Sequence, residues 1–241
     1  MAQYELCLEW SGIARDFLER ACSEHEVPNL RRLAAQYGYH VVPVDTLAEV
    51  STWGRVITYC RGVSPERQRR HLAHELAHIA MRLAGYEHPD DEVAADFIGA
   101  AIICPERVFK RTLTATRWDL SGLTAAFGCS YELAARRIAD VRSSVVTICD
   151  HGRVSTRVQS HWIARPYASR VAPFERAMID LAMARRAHVY ETDLCRAWYL
   201  EGEDGWQRVI VVVGLEEFEE RAMEKESEPD VIDQPHADWR G

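Results

Sequence analysis

The chain contains almost no lysine. Lys110 and Lys225 are the only two, and the other 27 of its 29 basic residues are arginines. That bias reads first as a codon-usage signature. Long apolar runs are missing too: no stretch approaches the roughly 18 uncharged apolar residues of a membrane span. The opening MAQYELCLEW holds two acids and no base, so no signal peptide is expected and a cytoplasmic location is. Seven cysteines stand at 7, 22, 60, 104, 129, 149 and 195, with no CxxC among them. An odd, scattered set without a secretory signal argues against a disulfide framework. Free thiols are expected, most of them as small core residues. A basic surplus is also missing, since 37 acids face the 29 bases. Nucleic-acid binding needs a basic face to meet phosphates, so composition alone disfavours it.

What is present fits a soluble globular protein. The 241 residues are 47% hydrophobic and 27% charged, enough for one large domain or two small ones with a sizeable core. The net charge of −8 is localised. Residues 216–233 hold nine acids against Arg221 and Lys225, which leaves the body before them nearly neutral. A run so acidic and poor in aromatics reads as a solvated, disordered tail.

Local patterning orders the rest. Residues 10–22 and 29–37 read as amphipathic helices, with Pro28 and Asn29 as a start signal and Gly38 as a stop. His40–Val44 and Arg55–Cys60 read as short strands. Ser64-Pro65-Glu66 opens a helix expected to run to Ala84, where Gly85 ends it. A short loop then leads to Asp90 or Asp91 as the cap of a helix reaching Ile103, and Pro105 begins another. Residues 120–141 form two short helical patterns around Gly128-Cys129-Ser130. Beyond Ser143 the pattern alternates: Ser144–Cys149 and Arg153–Gln159 are strands joined at Asp150-His151-Gly152. Pro173–Ala187 is a helix, Val189–Leu200 a strand candidate, and the run Val209–Gly214 a central strand.

The most informative residues are His74-Glu75-Leu76-Ala77-His78, an HExxH motif inside an expected helix. Histidines at i and i+4 lie one above the other on a helix face, so both imidazoles can reach one Zn²⁺ at roughly 2.0–2.1 Å. Glu75 then sits beside the metal, where it can take the proton from the attacking water. Chance alone gives HExxH in about 4% of chains of this composition. The mid-helix setting, the helix-forming spacers Leu76 and Ala77 and the apolar Ile79-Ala80 favour the zinc reading over two surface histidines.

A catalytic zinc needs a third protein ligand and one open position. Met81 and Ala84 stand where a metzincin carries glycine and histidine, which excludes that class. Glu87, His88, Asp90, Asp91 and Glu92 are the downstream candidates. Glu92 is the best placed, in the first turn of a helix that can pack antiparallel on the HExxH helix, with Ala95 and Gly99 permitting close approach. His88 is its main rival, and a plain first-turn acid complementing the helix dipole is the alternative role for Glu92.

Residues 92–105, EVAADFIGAAIICP, resemble the run that follows HExxH in the ImmA/IrrE-type metallopeptidases. Glu92 falls on that family's third zinc ligand, and Ala95, Asp96, Ile102, Ile103 and Pro105 on its other marked positions. The lead-in Gly62-Val63-Ser64-Pro65 and Arg70-His71-Leu72-Ala73 fits, as do Phe127-Gly128-Cys129-Ser130 and Arg137-Ile138 of a helix-turn-helix segment. Ile98 and Gly99 depart where Phe and Ala are usual, and Arg70-His71 where Phe-Thr is common; these touch packing rather than ligands. The resemblance spans roughly residues 27–141. It implies a cytosolic zinc peptidase with one Zn²⁺ on His74, His78 and Glu92 and with Glu75 as the catalytic base. It also implies a Cro/C1-like repressor as the partner that is cut to switch on genes. Candidates for stabilising the oxyanion are His71, Tyr86, His88 and His161.

The expected architecture is α+β. A zincin-like, mostly helical metallopeptidase domain with a small sheet covers 1–113, and a helix-turn-helix segment covers 114–142. A small C-terminal α/β domain, regulatory by analogy with relatives, covers 143–215, and the acidic tail begins at 216. Arg136, Arg137 and Arg142 of the second helix could meet DNA, but a helix-turn-helix is also a common packing unit. Glu132 and Asp140 in the same helix favour a packing or substrate-docking role. A non-enzymatic regulator that binds a repressor or DNA is therefore the alternative function. His151, His161, Trp162, His188, Trp198 and Trp206 are scattered and read as core or surface rather than as a metal cluster. The acidic tail is a solubility feature, or a charge mimic that competes with DNA for a basic repressor.

Overall fold

The computed structural model describes residues 2–21, 26–45, 52–87, 91–160, 171–192, 194–202 and 204–216. The sequence readings on Cys22, His88, Asp90, His161, Trp162 and the acidic tail beyond 216 lie outside these residues. The fold is α+β, as expected, and divides into two compact units, Met1–Val146 with Val158–Ala164, and Thr147–Arg157 with Arg165–Gly241. Among the described residues no helix is long and apolar enough to cross a membrane.

The first unit opens with α1 (Ala2–Glu19). Its buried stripe is Cys7, Trp10, Ile13, Ala14 and Phe17, a spacing of three and four that keeps one face inward. The helix therefore starts well before Trp10, where the sequence reading placed its beginning, because the stripe already begins at Cys7. Asn29 caps α2 (Leu30–Gln36) by accepting the amide of Arg32 at 3.1 Å. Strand β1 (His40–Val44) follows, then the two-residue β2 (Thr52–Trp53) and β3 (Val56–Cys60). β1 pairs with β3 in parallel, and β2 pairs with β3 antiparallel. Two residues are too few to show alternation, so β2 was invisible in the sequence.

Five helices complete the unit: α3 (Pro65–Ala84), α4 (Asp91–Ile103), α5 (Glu106–Ala115), α6 (Leu120–Phe127) and α7 (Tyr131–Val141). The centre is α4, with Ala94, Ala95, Ile98, Gly99, Ala101, Ile102 and Ile103 all buried. A helix apolar on nearly every side belongs inside a core. α6 ends at Gly128 in the left-handed conformation (φ 57°), and Ser130 caps α7 by accepting the Leu133 amide at 3.2 Å.

The second unit holds most of a sheet of order β5-β4-β8-β7-β6. Its strands are β4 (Ser144–Asp150), β5 (Arg153–Gln159), β6 (Val189–Thr192), β7 (Cys195–Glu201) and β8 (Gln207–Gly214), with α8 (Pro173–Arg185) between β5 and β6. The β4–β5 turn has His151 at φ 50° and Gly152 at φ 78°, the double positive φ of a two-residue hairpin. β8 is the central strand, with Val209–Gly214 buried. The segment Val189–Leu200 is two strands rather than one. It breaks at a turn in which Thr192 Oγ1 accepts the Leu194 amide at 3.1 Å, a break with neither glycine nor proline to announce it.

One buried acid organises this unit. Glu175 of α8 is fully buried and accepts from the Thr147 hydroxyl, the Arg157 guanidinium and the Ala172 amide, each at 2.8 Å. The last bond is half of a capping box. The six described cysteines are buried and none of them is in a disulfide.

Candidate metal centre

Helix α3 carries its motif because its ends are well signalled. Ser64 accepts the Arg67 amide at 3.4 Å, Pro65 occupies the first turn, and Gly85 stops the helix at φ 69°. Helix α4 then returns against α3. Along α4 from Glu92 through Asp96 to Gly99, the facing residues of α3 run back from His78 to Arg70, so the two helices are antiparallel. Gly99 sets their separation. A Cβ there would meet the Ala73 carbonyl carbon and oxygen and the His74 nitrogen, each at 3.2 Å.

This approach brings three side chains together. His74 Nε2 lies 3.1 Å from His78 Nε2 and 3.2 Å from Glu92 Oε2, and His78 Nε2 lies 3.5 Å from Glu92 Oε1. A tetrahedral Zn²⁺ with bonds of about 2.05 Å needs its donors about 3.3–3.4 Å apart, so the spacing fits. The donor chemistry fits as well, two imidazole nitrogens and a carboxylate oxygen being the set of a catalytic zinc site. Among the described residues this is the one His/Cys/Asp/Glu group whose donor atoms converge in this way. Glu87 and Asp91 line the neighbouring cleft but do not join the group.

The sequence reading gave Asp96 no part in the site, yet the structure places it on the first histidine. Asp96 Oδ1 lies 3.0 Å from His74 Nδ1, and its other oxygen meets Arg70 Nη2 at 3.4 Å. The hydrogen bond to Asp96 raises the His74 pKa, with burial opposing it. The same bond holds Asp96 below the usual carboxylate range. A carboxylate on the outer nitrogen fixes the imidazole tautomer and ring orientation. The signal that could have found Asp96 is its spacing of i+4 from Glu92, which puts both acids on one face of α4.

Glu75, 7% exposed, and His78 both line a cleft of about 520 Å³. Tyr86 lines it too, with its hydroxyl accepting the Trp10 indole N–H at 2.7 Å. His71 shares the α3 face with His74 and Glu75. Burial and the charges of Arg70 and Arg67 lower its pKa.

Of the helix-turn-helix arginines that could meet DNA, Arg137 is packed inward. Arg137 is 3% exposed, and its Nε donates to the Cys104 carbonyl at 3.1 Å. Its Nη1 pairs with Asp140 at 3.3 Å. It holds α7 to the end of α4 and presents nothing to DNA. Arg136 is paired with Glu132 at 2.9 Å on the helix surface. In the second unit, the exposed His188 accepts the Tyr199 amide on Nδ1 at 3.2 Å, while Trp198 is fully buried.

The family model described as the IrrE N-terminal-like domain, Peptidase_M78, matches residues 22–139. Among curated protein sequences no match is found. A solved structure, a Mycobacterium tuberculosis transcriptional regulator, is similar with a TM-score of 0.59 at 17% identity, covering 89% of this chain and 77% of that one. That likeness is one of fold. Residues 22–139, which hold both helices of the candidate site, are thus a domain of the Peptidase_M78, IrrE N-terminal-like family.

Proposed function

We propose that the protein is a zinc-dependent endopeptidase that cuts a helix-turn-helix repressor of the Cro/C1 type and so derepresses genes. The observation that carries this reading is the convergence of His74, His78 and Glu92 beside a cleft that Glu75 lines. His74, His78 and Glu92 would hold the ion. A bound Zn²⁺ supplies Lewis acidity there, which makes water a stronger nucleophile and polarises a peptide carbonyl. Glu75, shielded from bulk solvent, takes the proton of the attacking water and passes it to the leaving amine. Asp96 keeps Nδ1 of His74 protonated and its Nε2 free for the ion. Tyr86, fixed by Trp10, is the described candidate nearest the cleft for donating to the oxyanion.

The repressor as substrate rests on the family and on the transcriptional regulator of similar fold. The test is to load the full chain with zinc and incubate it with purified helix-turn-helix repressors of the Cro/C1 type. The wild type is expected to cut the repressor, and Glu75→Gln to lose cleavage while keeping one zinc. Cleavage retained by a zinc-replete Glu75→Gln protein overturns the mechanism. A wild type that cannot be loaded with zinc favours a non-enzymatic regulator.

A further inference from the structure

A second cavity of the first unit, about 530 Å³, shares no lining residue with the cleft beside Glu75. Its walls include Arg31 of α2 and Arg69 of α3, and no acid is among the described residues that line it. Arg69 is fixed but under-compensated. Its Nη2 donates to the Pro28 carbonyl at 3.1 Å, while its Nε is buried and has no hydrogen-bond partner. Gly128, in its left-handed turn, lies over that group: a Cβ there would stand 3.6 Å from Arg69 Cδ and 3.9 Å from Nε. Burial lowers the Arg69 pKa, and the nearby Cys104 and Cys129 oppose that shift. Arg31 lies over the Tyr59 ring, 5.0 Å from its centroid, and also contacts the Tyr59 hydroxyl.

Proteins pair a partly buried guanidinium with an acid, because an uncompensated cation away from water is costly. Here Arg69 is such a partly buried guanidinium, the exposed Arg31 lines the same cavity, and no acid is among the described residues that line it. A dianion suits them better than a monoanion. A phosphate monoester carries a charge of about −1.5 to −2 and three acceptor oxygens, and the guanidinium fork matches it bidentately. The volume falls within the roughly 300–1,000 Å³ of small-molecule sites. Leu30 and Leu72 supply apolar wall for an organic part. We propose that this cavity binds a phosphate monoester, its phosphoryl group between Arg31 and Arg69 and its organic part against Leu30 and Leu72.

Calorimetric titration of the full chain with inorganic phosphate, with AMP and with a short DNA duplex tests this. Saturable binding of phosphate or AMP is expected, weakened at least tenfold by Arg69→Met and by Arg31→Met. AMP binding tenfold tighter than phosphate identifies an organic phosphate as the source, and equal affinities identify the free ion. Arg31 is exposed, so Arg31→Met keeps the test decisive if Arg69→Met does not fold. The proposal is overturned if neither small probe binds, or if both variants bind as the wild type does. It is overturned equally if the duplex alone shows the arginine dependence. None of these outcomes bears on zinc or on cleavage, so this site stands or falls apart from the peptidase reading.

Discussion

Asp96 Oδ1 sits 3.0 Å from His74 Nδ1, so the ring's other nitrogen is the one turned toward His78 and Glu92. Two consecutive turns of α4 thus do two tasks, with Glu92 supplying a donor and Asp96 aiming one. Removing the aim without removing a donor is expected to cost zinc affinity. Asp96→Ala should weaken zinc binding by about 10–100-fold, measured by competition with a chromogenic chelator. Affinity equal to the wild type would mean that Asp96 only neutralises Arg70.

The same pair makes the metal-free chain sensitive to pH. The His74 pKa is raised above its ordinary 6.5 and that of Asp96 is lowered below 3.8. The histidine contribution to stability is complete below pH 6.5 and fades as pH rises through the elevated folded value. The aspartate contribution is present above pH 3.8 and is lost as pH falls through its depressed folded value. Thermal unfolding of chelator-treated protein should therefore show Tm falling on the alkaline side of about pH 6.5. Asp96→Asn should flatten that limb. Zinc should reverse the trend, because it binds the neutral imidazole and loses ground as pH drops.

Gly99 is expected to tolerate no larger side chain. Gly99→Val places carbon against backbone atoms of Ala73 and His74, where no flexible side-chain end can yield. A loss of about 1–3 kcal/mol is expected from such overpacking, read from urea denaturation, together with weaker zinc binding. Stability lost with zinc affinity unchanged would separate the packing of α4 from the placing of Glu92.

In the second unit, Glu175→Ala removes the shared acceptor of Thr147, Arg157 and Ala172. Breaking a buried pair by deleting one partner costs about 3–5 kcal/mol. Denaturant unfolding should show a loss of that order, and a loss below about 1 kcal/mol would argue that water or rearrangement replaces the acid.

The helices of the metal centre were legible because their signals are local. Ser64-Pro65 and Gly85 mark the ends of α3, and i, i+4 spacing puts His74 and His78 on one face. Glu92 followed from its place in the next first turn, and Gly99 from its size. Asp96 and Arg137 were not assigned their roles, since each takes its meaning from a partner more than 20 residues away, His74 and the Cys104 carbonyl. Arg137 carries the charge expected of a DNA contact, and only packing shows it turned inward. The break after Thr192 was missed because a hydroxyl, rather than glycine or proline, makes the turn.

Everything that shapes the metal centre in α3 and α4 lies between Arg70 and Gly99, on two successive helices. Such a site closes only a short loop, so its assembly costs little chain entropy and does not wait for distant strands to pair. The donors' spacing is therefore a local property of one adjoining pair of helices.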